Sequence, residues 1–370
     1  LTESSGVADR APIWSPDGGE VAWFSDDGSG YVLLVGTQDG TGAVRRISIG
    51  ESKMAWSPTW SPNGEMIAFS DDDTRIRVVD VEEGRVRTVD IGGNNFERTS
   101  MGLAWSPDSK WLAYAKTFPN NFRRVVAWSV DTGEAHPLTG AMADAFSPSW
   151  DRDGRHMYFL ASTDLGLGSG WANTSSIGSD PTYGAYVMVL RSDDPTPFPP
   201  ESDEEEVKSD EEEVKSEEEA GEEKPEEGEE GESEEDGVRI DLDGIQRRVL
   251  ALPMPVARYG MTLAGPEGTV FIGERPPGEF AMTLHKFSLE EREASEFTRG
   301  VGGASTSADG SKMLLRSGPG WQVVDTGRPP EPGSERLDFE LRTHLDRRAE
   351  WAQMFDEAWH YEEDFFYDPG

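Results

Sequence analysis

Five histidines, His136, His156, His285, His344 and His360, are the chain's only imidazoles and the first residues to test for chemistry. None falls in a His-Glu-x-x-His pair or another metal-ligand spacing, and His344 and His360 stand sixteen residues apart. Each is expected to be an ordinary surface or half-buried histidine. No Gly-x-Ser-x-Gly elbow occurs, and the glycines Gly166, Gly168 and Gly170 lack the strand-to-helix setting and following Lys of a phosphate loop. Acidic turns at Ser25-Asp26-Asp27-Gly28 and Ser70-Asp71-Asp72-Asp73 offer carboxylates, but without the twelve-residue loop and terminal Glu of a Ca²⁺ site. They are expected to be hairpin turns. With no Cys there is no thiol nucleophile, thiolate metal site or disulfide. The expected sets of catalytic, cofactor-binding and metal-ligating residues are therefore empty, and no cofactor is expected.

What the sequence does contain is repetition. Trp14-Ser15-Pro16-Asp17-Gly18 returns as Trp60-Ser61-Pro62-Asn63-Gly64, Trp105-Ser106-Pro107-Asp108-Ser109 and Trp150-Asp151-Arg152-Asp153-Gly154, at intervals of 46, 45 and 45 residues. Worn copies stand at Ala264-Gly265-Pro266-Glu267-Gly268 and Thr306-Ser307-Ala308-Asp309-Gly310. Pro fixes φ at the second turn position, Asp or Asn tolerates the next, and Gly takes the left-handed one. An apolar strand follows each of the first four copies (20–24, 65–69, 110–114, 156–160), then a third (31–35, 75–80, 124–130, 185–191) and a fourth (45–49, 85–91, 134–138). Four short strands per period of this length make one blade of a β-propeller. The fold is all-β: a β-propeller of four-stranded blades, followed by a C-terminal α-helix. The tryptophans, at one position in every blade, are expected to pack between blades rather than to hold a ligand.

Residues 1–345 form the propeller. Six blades are visible: to about residues 50, 92 and 140, from 147 with two interruptions, then 260–298 and 301–341. Leu1 and Thr2 resemble the end of an outer strand, so a blade is expected upstream, seven in all. The first interruption of blade four, 162–183, is rich in Gly and Ser and is expected to be a surface loop on one face of the ring. The second, 201–237, is an acidic insertion. Of a net charge of −38, residues 201–236 carry half, with 22 acidic residues against three lysines. Low hydrophobicity and like charge predict disorder there. Order is expected to return at 238–244, with residues 247–252 supplying the missing strand. From Asp346, residues Trp351, Met354, Phe355, Ala358 and Trp359 fall at helical spacing, predicting an amphipathic helix that needs a partner surface.

So acidic a chain repels phosphate backbones, and nucleic acid is not an expected partner. No apolar run is long enough to span a bilayer, and a membrane is not expected either. Leu1 is not an initiator Met, so the natural N-terminus is expected upstream; the expected compartment is cytoplasmic.

The blade repeat resembles propellers of the TolB type, which also occur in prolyl-oligopeptidase-like and tricorn-like peptidases. More specifically, the run from Ala349 to Trp359 followed by Asp364-Phe365-Phe366-Tyr367-Asp368-Pro369 is similar to the opening helix of the core domain in tricorn proteases and their bacterial homologues. Residues 238–249 are similar to a segment of that family's second propeller. The resemblance implies that 346–370 begin a core domain, and that a PDZ-like domain and a serine-peptidase domain follow Gly370. It implies oligopeptide substrates, a homo-oligomer, and a propeller that gates or guides peptides to those downstream domains. It places no catalytic residue in this sequence. The acidic tract departs from a compact version of that fold. Two other readings stand beside it: a TolB-like scaffold binding partner proteins on its ring face, and the propeller of a prolyl-oligopeptidase-like enzyme. The aromatic helix argues against the first and its motif against the second.

Overall fold

The computed structural model describes residues 7–26, 30–94, 98–164, 181–199, 237–331, 336–340 and 345–366. The strands assemble into six four-stranded antiparallel sheets, each a meander in sequence order. Blade one spans residues 8–48, blade two 55–91, blade three 104–137, blade four 144–251, blade five 259–301 and blade six 303–337. The first strand of each blade lies beside the first strand of the next, so these six strands form the inner wall and the fourth strands the rim.

The second strands of blades two to five are near-continuous buried runs because each of these sheets is covered on both faces by its neighbours, whereas Lys312–Ser317 of blade six alternates between buried and exposed positions. Met66–Asp71 is buried at every position. Five hydrophobic clusters fill the spaces between successive blades, from blades one and two to blades five and six. Among the described residues none joins blade six to blade one. Phe24 of blade one meets Phe69 of blade two edge to face at 5.3 Å, a geometry worth about 0.5–1.5 kcal/mol beyond the area it buries. The repeated tryptophans take the expected place. Trp60, Trp105 and Trp150 are buried between blades, and the indole N–H groups of Trp105 and Trp150 donate to the carbonyls of Thr59 and Ala104 on the preceding blade. Trp14, with no described blade before it, is 57% exposed.

The turn motif holds more than backbone preference. Ser106 Oγ donates to Asp108 Oδ1 at 2.6 Å and accepts from the Trp111 amide at 2.9 Å, latching the hairpin shut. Ser15, Ser61 and Ser307 repeat the arrangement with Asp17, Asn63 and Asp309. The hydroxyls of Ser307 and Ser311 hold the Asp309 carboxyl down at about 2. Gly18, Gly64, Gly154, Gly268 and Gly310 all take left-handed φ, as does Ser109, whose hydroxyl accepts from the Asn63 amide of the preceding blade.

Several boundaries differ from expectation. Blade three's first strand is only Ala104–Trp105. The fourth strand of blade four is Val249–Ala251, entered through a 3₁₀ turn at Ile245–Arg248. Val238, Ile240 and Ile245 do return to order, buried between blades three and four. Blade five's last strand runs through Val301, the expected start of blade six. The expected loop at 162–183 lies largely outside the described residues, as do the disorder expected at 201–237 and the strand end at Leu1-Thr2.

The C-terminal helix, α1, runs Arg347–Phe365, with the Asp346 carboxylate capping the Arg348 and Ala349 amides. Its polar side faces the propeller. Lys53 of the segment entering blade two pairs with Asp364 at 2.7 Å, and the Arg10 guanidinium approaches Tyr361 Oη at 3.4 Å. Trp351, Met354, Phe355 and Trp359, the predicted apolar set, are between 61% and 71% exposed.

Ser106→Ala removes a fully buried hydroxyl and orphans the Trp111 amide. The expected loss is about 1–2 kcal/mol of unfolding free energy, seen as a lower denaturation midpoint at unchanged m-value. An unchanged midpoint would mean the latch contributes nothing.

Candidate functional site

The inner wall carries several backbone irregularities. In blades one, two and four the first strand breaks register with the second between Arg10 and Ile13, Trp56 and Thr59, and Phe146 and Ser149. The bulged residues Ala11, Ser57 and Ser147 have φ of 49°, 52° and 56°, a conformation costing a residue with a Cβ about 1–2 kcal/mol. Each precedes a proline, Pro12, Pro58 or Pro148, which has no N–H to give the ladder. Blade three has Gly102 at the equivalent place, with φ of 63°, and a Cβ there would lie 3.6 Å from Pro148. Gly102 of blade three therefore lies against the bulge of blade four. Bulges re-aim side chains and interrupt pairing beside sites of function. This second repeat, Ala or Ser then Pro three residues ahead of the Trp, was present in the sequence as a signal but was overshadowed by the stronger turn motif.

At one end of the axis the turns that follow the first strands meet one another. Pro16 lies against Gly64, and a Cβ on Gly310 would stand 2.4 Å from the Gly265 carbonyl oxygen. Blade four's turn is the exception in composition, with Asp151-Arg152-Asp153 in place of Ser-Pro-Asp. Asp151 is fully buried, accepting from Tyr158 Oη and from the Gly268 amide of blade five at 3.0 Å. Burial, reinforced by the charge of Asp153, raises its carboxyl above the ordinary range despite those hydrogen bonds. Arg152 reaches past blade five. Its Nε donates to the Ala308 carbonyl at 2.8 Å and its terminal nitrogens donate to the carbonyls of Gly265 and Ser307, with Thr306 Oγ1 at 3.4 Å.

Beside this turn, His156 Nδ1 hydrogen-bonds Asp153 while Nε2 is buried without a partner. Burial favours the neutral ring, but the hydrogen bond and charge of Asp153, with the charges of Asp151 and Asp194, outweigh it and raise the histidine's pKa. At the opposite end of the ring, α1 covers a cleft of about 560 Å³ lined by Arg10, Tyr31, Arg46, Lys53, His360 and Tyr361. Arg10 sits 5.4 Å from the centre of the Tyr31 ring, whose hydroxyl is pushed up to about 12, chiefly by burial.

The structure keeps the four described histidines apart. His136 lies 3.7 Å from Glu134, His156 contacts Asp153, His285 Nε2 lies 2.8 Å from Glu274, and His360 faces the cleft under α1. His344 lies outside the described residues, as do Gly166, Gly168, Gly170, Asp27 and Gly28. Asp71 of the second acidic turn is buried against Ser52 and Arg75 at 2.7 Å each, a structural pairing. Among the described residues no three His, Asp or Glu side chains are grouped to hold a metal ion, and no helix is long and apolar enough to cross a membrane.

Residues 1–327 match the family model of the tricorn protease second β-propeller domain. The chain is 26% identical to tricorn protease homolog 1 of Streptomyces coelicolor, the match covering 97% of this chain and 34% of that protein. It is 23% identical to a putative tricorn-like protease C-terminal subunit of Sulfurisphaera tokodaii, over 97% of this chain and 39% of the relative. The crystal structure of the tricorn protease superposes with a TM-score of 0.70 at 17% identity, covering 97% of this chain and 33% of that one. The chain thus spans between a third and two fifths of these proteins.

Two outcomes are expected. Ser57→Gly relieves a left-handed serine and should raise the unfolding free energy by up to about 1 kcal/mol, seen as a higher urea midpoint; a lower midpoint would show that the serine hydroxyl is needed. His156 gains its partner on folding, so its contribution is complete below the ordinary value of 6.5 and is lost as pH rises through the raised folded value. Stability measured across that window should fall in the parent and stay flatter in His156→Gln; parallel curves would exclude the pair as the cause.

Proposed function

The chain belongs to the tricorn protease second β-propeller family, and we propose that it is the non-catalytic propeller portion of a serine peptidase acting on oligopeptides. In this reading peptide substrates pass along the axis on their way to a catalytic domain elsewhere in the same polypeptide. The observation that carries it is the inner wall: six first strands around one axis, three of them bulged into left-handed conformations at Ala11, Ser57 and Ser147. In this reading a passage between those strands admits an extended chain and excludes a folded one, so that the propeller selects by shape before any bond is broken.

The exposed aromatic side of α1 supports the rest of the proposal. A helix that turns its polar side to the propeller through an ion pair and one tyrosine, and its tryptophans outward, suits a continuing core domain packed over it. Residues 346–366 then act as the junction between propeller and core, and PDZ-like and catalytic modules follow in an oligomeric assembly.

The experiment compares the full-length protein with residues 1–370 alone. The full-length protein is expected to hydrolyse unfolded oligopeptides, to spare a folded protein of the same sequence content, and to be silenced by a serine-directed inhibitor. The 370-residue chain is expected to hydrolyse nothing. Inhibitor-sensitive turnover by the chain alone would overturn the assignment of catalysis to another domain.

A further inference from the structure

We propose that Arg152 bars one mouth of the axial passage and sets the size of chain end that can pass there. The proposal rests on the peptide-guiding reading above and adds the residue that regulates passage. In blades one, two and three the second turn position is Pro16, Pro62 or Pro107. Proline's ring is short: Pro16 reaches only the neighbouring turn, against Gly64. Blade four alone among the first four repeats places an arginine there. Its guanidinium crosses blade five's turn and ends on blade six, with Gly265, Ser307, Ala308 and Thr306 as acceptors. A side chain can join a blade to the next but one only close to the axis, where the chord between them is shortest. Arg152 therefore spans part of the mouth.

The acceptors matter as much as the position. Three are backbone carbonyls and one is a hydroxyl; the charges of Asp151 and Asp309 lie near the guanidinium, but neither carboxylate is among these acceptors. Planar, five-donor geometry lets one side chain bind several carbonyls at once, which an ammonium cannot reproduce. Asp151, one residue before, ties the same blade to the Gly268 amide. The turns of blades four, five and six are thus linked by two side chains, at the place where a Cβ on Gly310 would stand against the Gly265 carbonyl. Hydrogen bonds to neutral acceptors exchange readily with those of an arriving peptide, whose own carbonyls offer the same chemistry. The bar can swing aside for a thin, extended chain and stays closed to a bulky one.

The test uses the full-length protein, as parent, Arg152→Pro and Arg152→Lys, with a tetrapeptide substrate and one several times longer that carries a bulky end. Arg152→Pro restores the residue of the other blades and should raise kcat/KM for the bulky peptide by about threefold or more, leaving the tetrapeptide unchanged. Arg152→Lys, which keeps the charge without the fork, should fall between. For a labelled, uncleavable peptide, association and dissociation should quicken together at constant Kd, a pattern that a purely structural brace would not give. Should Arg152→Pro fold poorly, Arg152→Lys alone decides. Normal cleavage with no change in either variant, or an equal change for both substrates, overturns the bar and leaves the guiding function standing. A parent protein that neither binds nor cleaves any peptide overturns the guiding function, and the bar with it.

Discussion

Every blade has two apolar faces and so cannot stand alone. A four-stranded sheet with Phe24, Leu33 and Ile47 on one side and Val21 and Val32 on the other leaves water only when neighbours cover both. That single requirement sets the rest. It makes the second strands of blades two to five near-continuous apolar runs, sets Trp60, Trp105 and Trp150 as wedges between sheets, and brings successive blades around an axis. The axis is a by-product of that packing.

The elements most legible in the sequence are those whose cause is local. Left-handed turn positions need Gly, a hairpin start tolerates Pro, and both recur at 45 or 46 residues, so the blades, their order and α1 could be placed without coordinates. The bulges were written equally locally, as Ala11-Pro12, Ser57-Pro58 and Ser147-Pro148, but a proline near a strand can mean an edge, a bulge or a break. Only pairing with the second strand distinguishes them. The Ser-Asp latch was half visible: the residues were in the motif, their mutual hydrogen bond was not. Arg152 was illegible in principle, because its partners Gly265, Ser307 and Ala308 lie more than a hundred residues away.

The helix shows the limit of periodicity from the other side. Spacing placed Trp351, Met354, Phe355 and Trp359 on one face, and the structure agrees on the helix. Burial did not follow, because the propeller holds α1 by charge on its opposite side: Lys53 meets Asp364, and Arg10 meets Tyr361. Exposed ion pairs contribute little, about 0–1 kcal/mol, so the contact orients the helix more than it anchors it. On this ground we propose α1 as a junction with another domain.

The most direct test of that account is to find where a peptide lies. A photoreactive, uncleavable oligopeptide would be cross-linked to the full-length protein and the modified residues mapped by mass spectrometry. The account predicts adducts on the first strands of the blades, around Ala11, Ser57 and Ser147, competed away by excess unlabelled peptide. Adducts confined to the outer strands, or to the cleft under α1, with none on the inner wall, would contradict it.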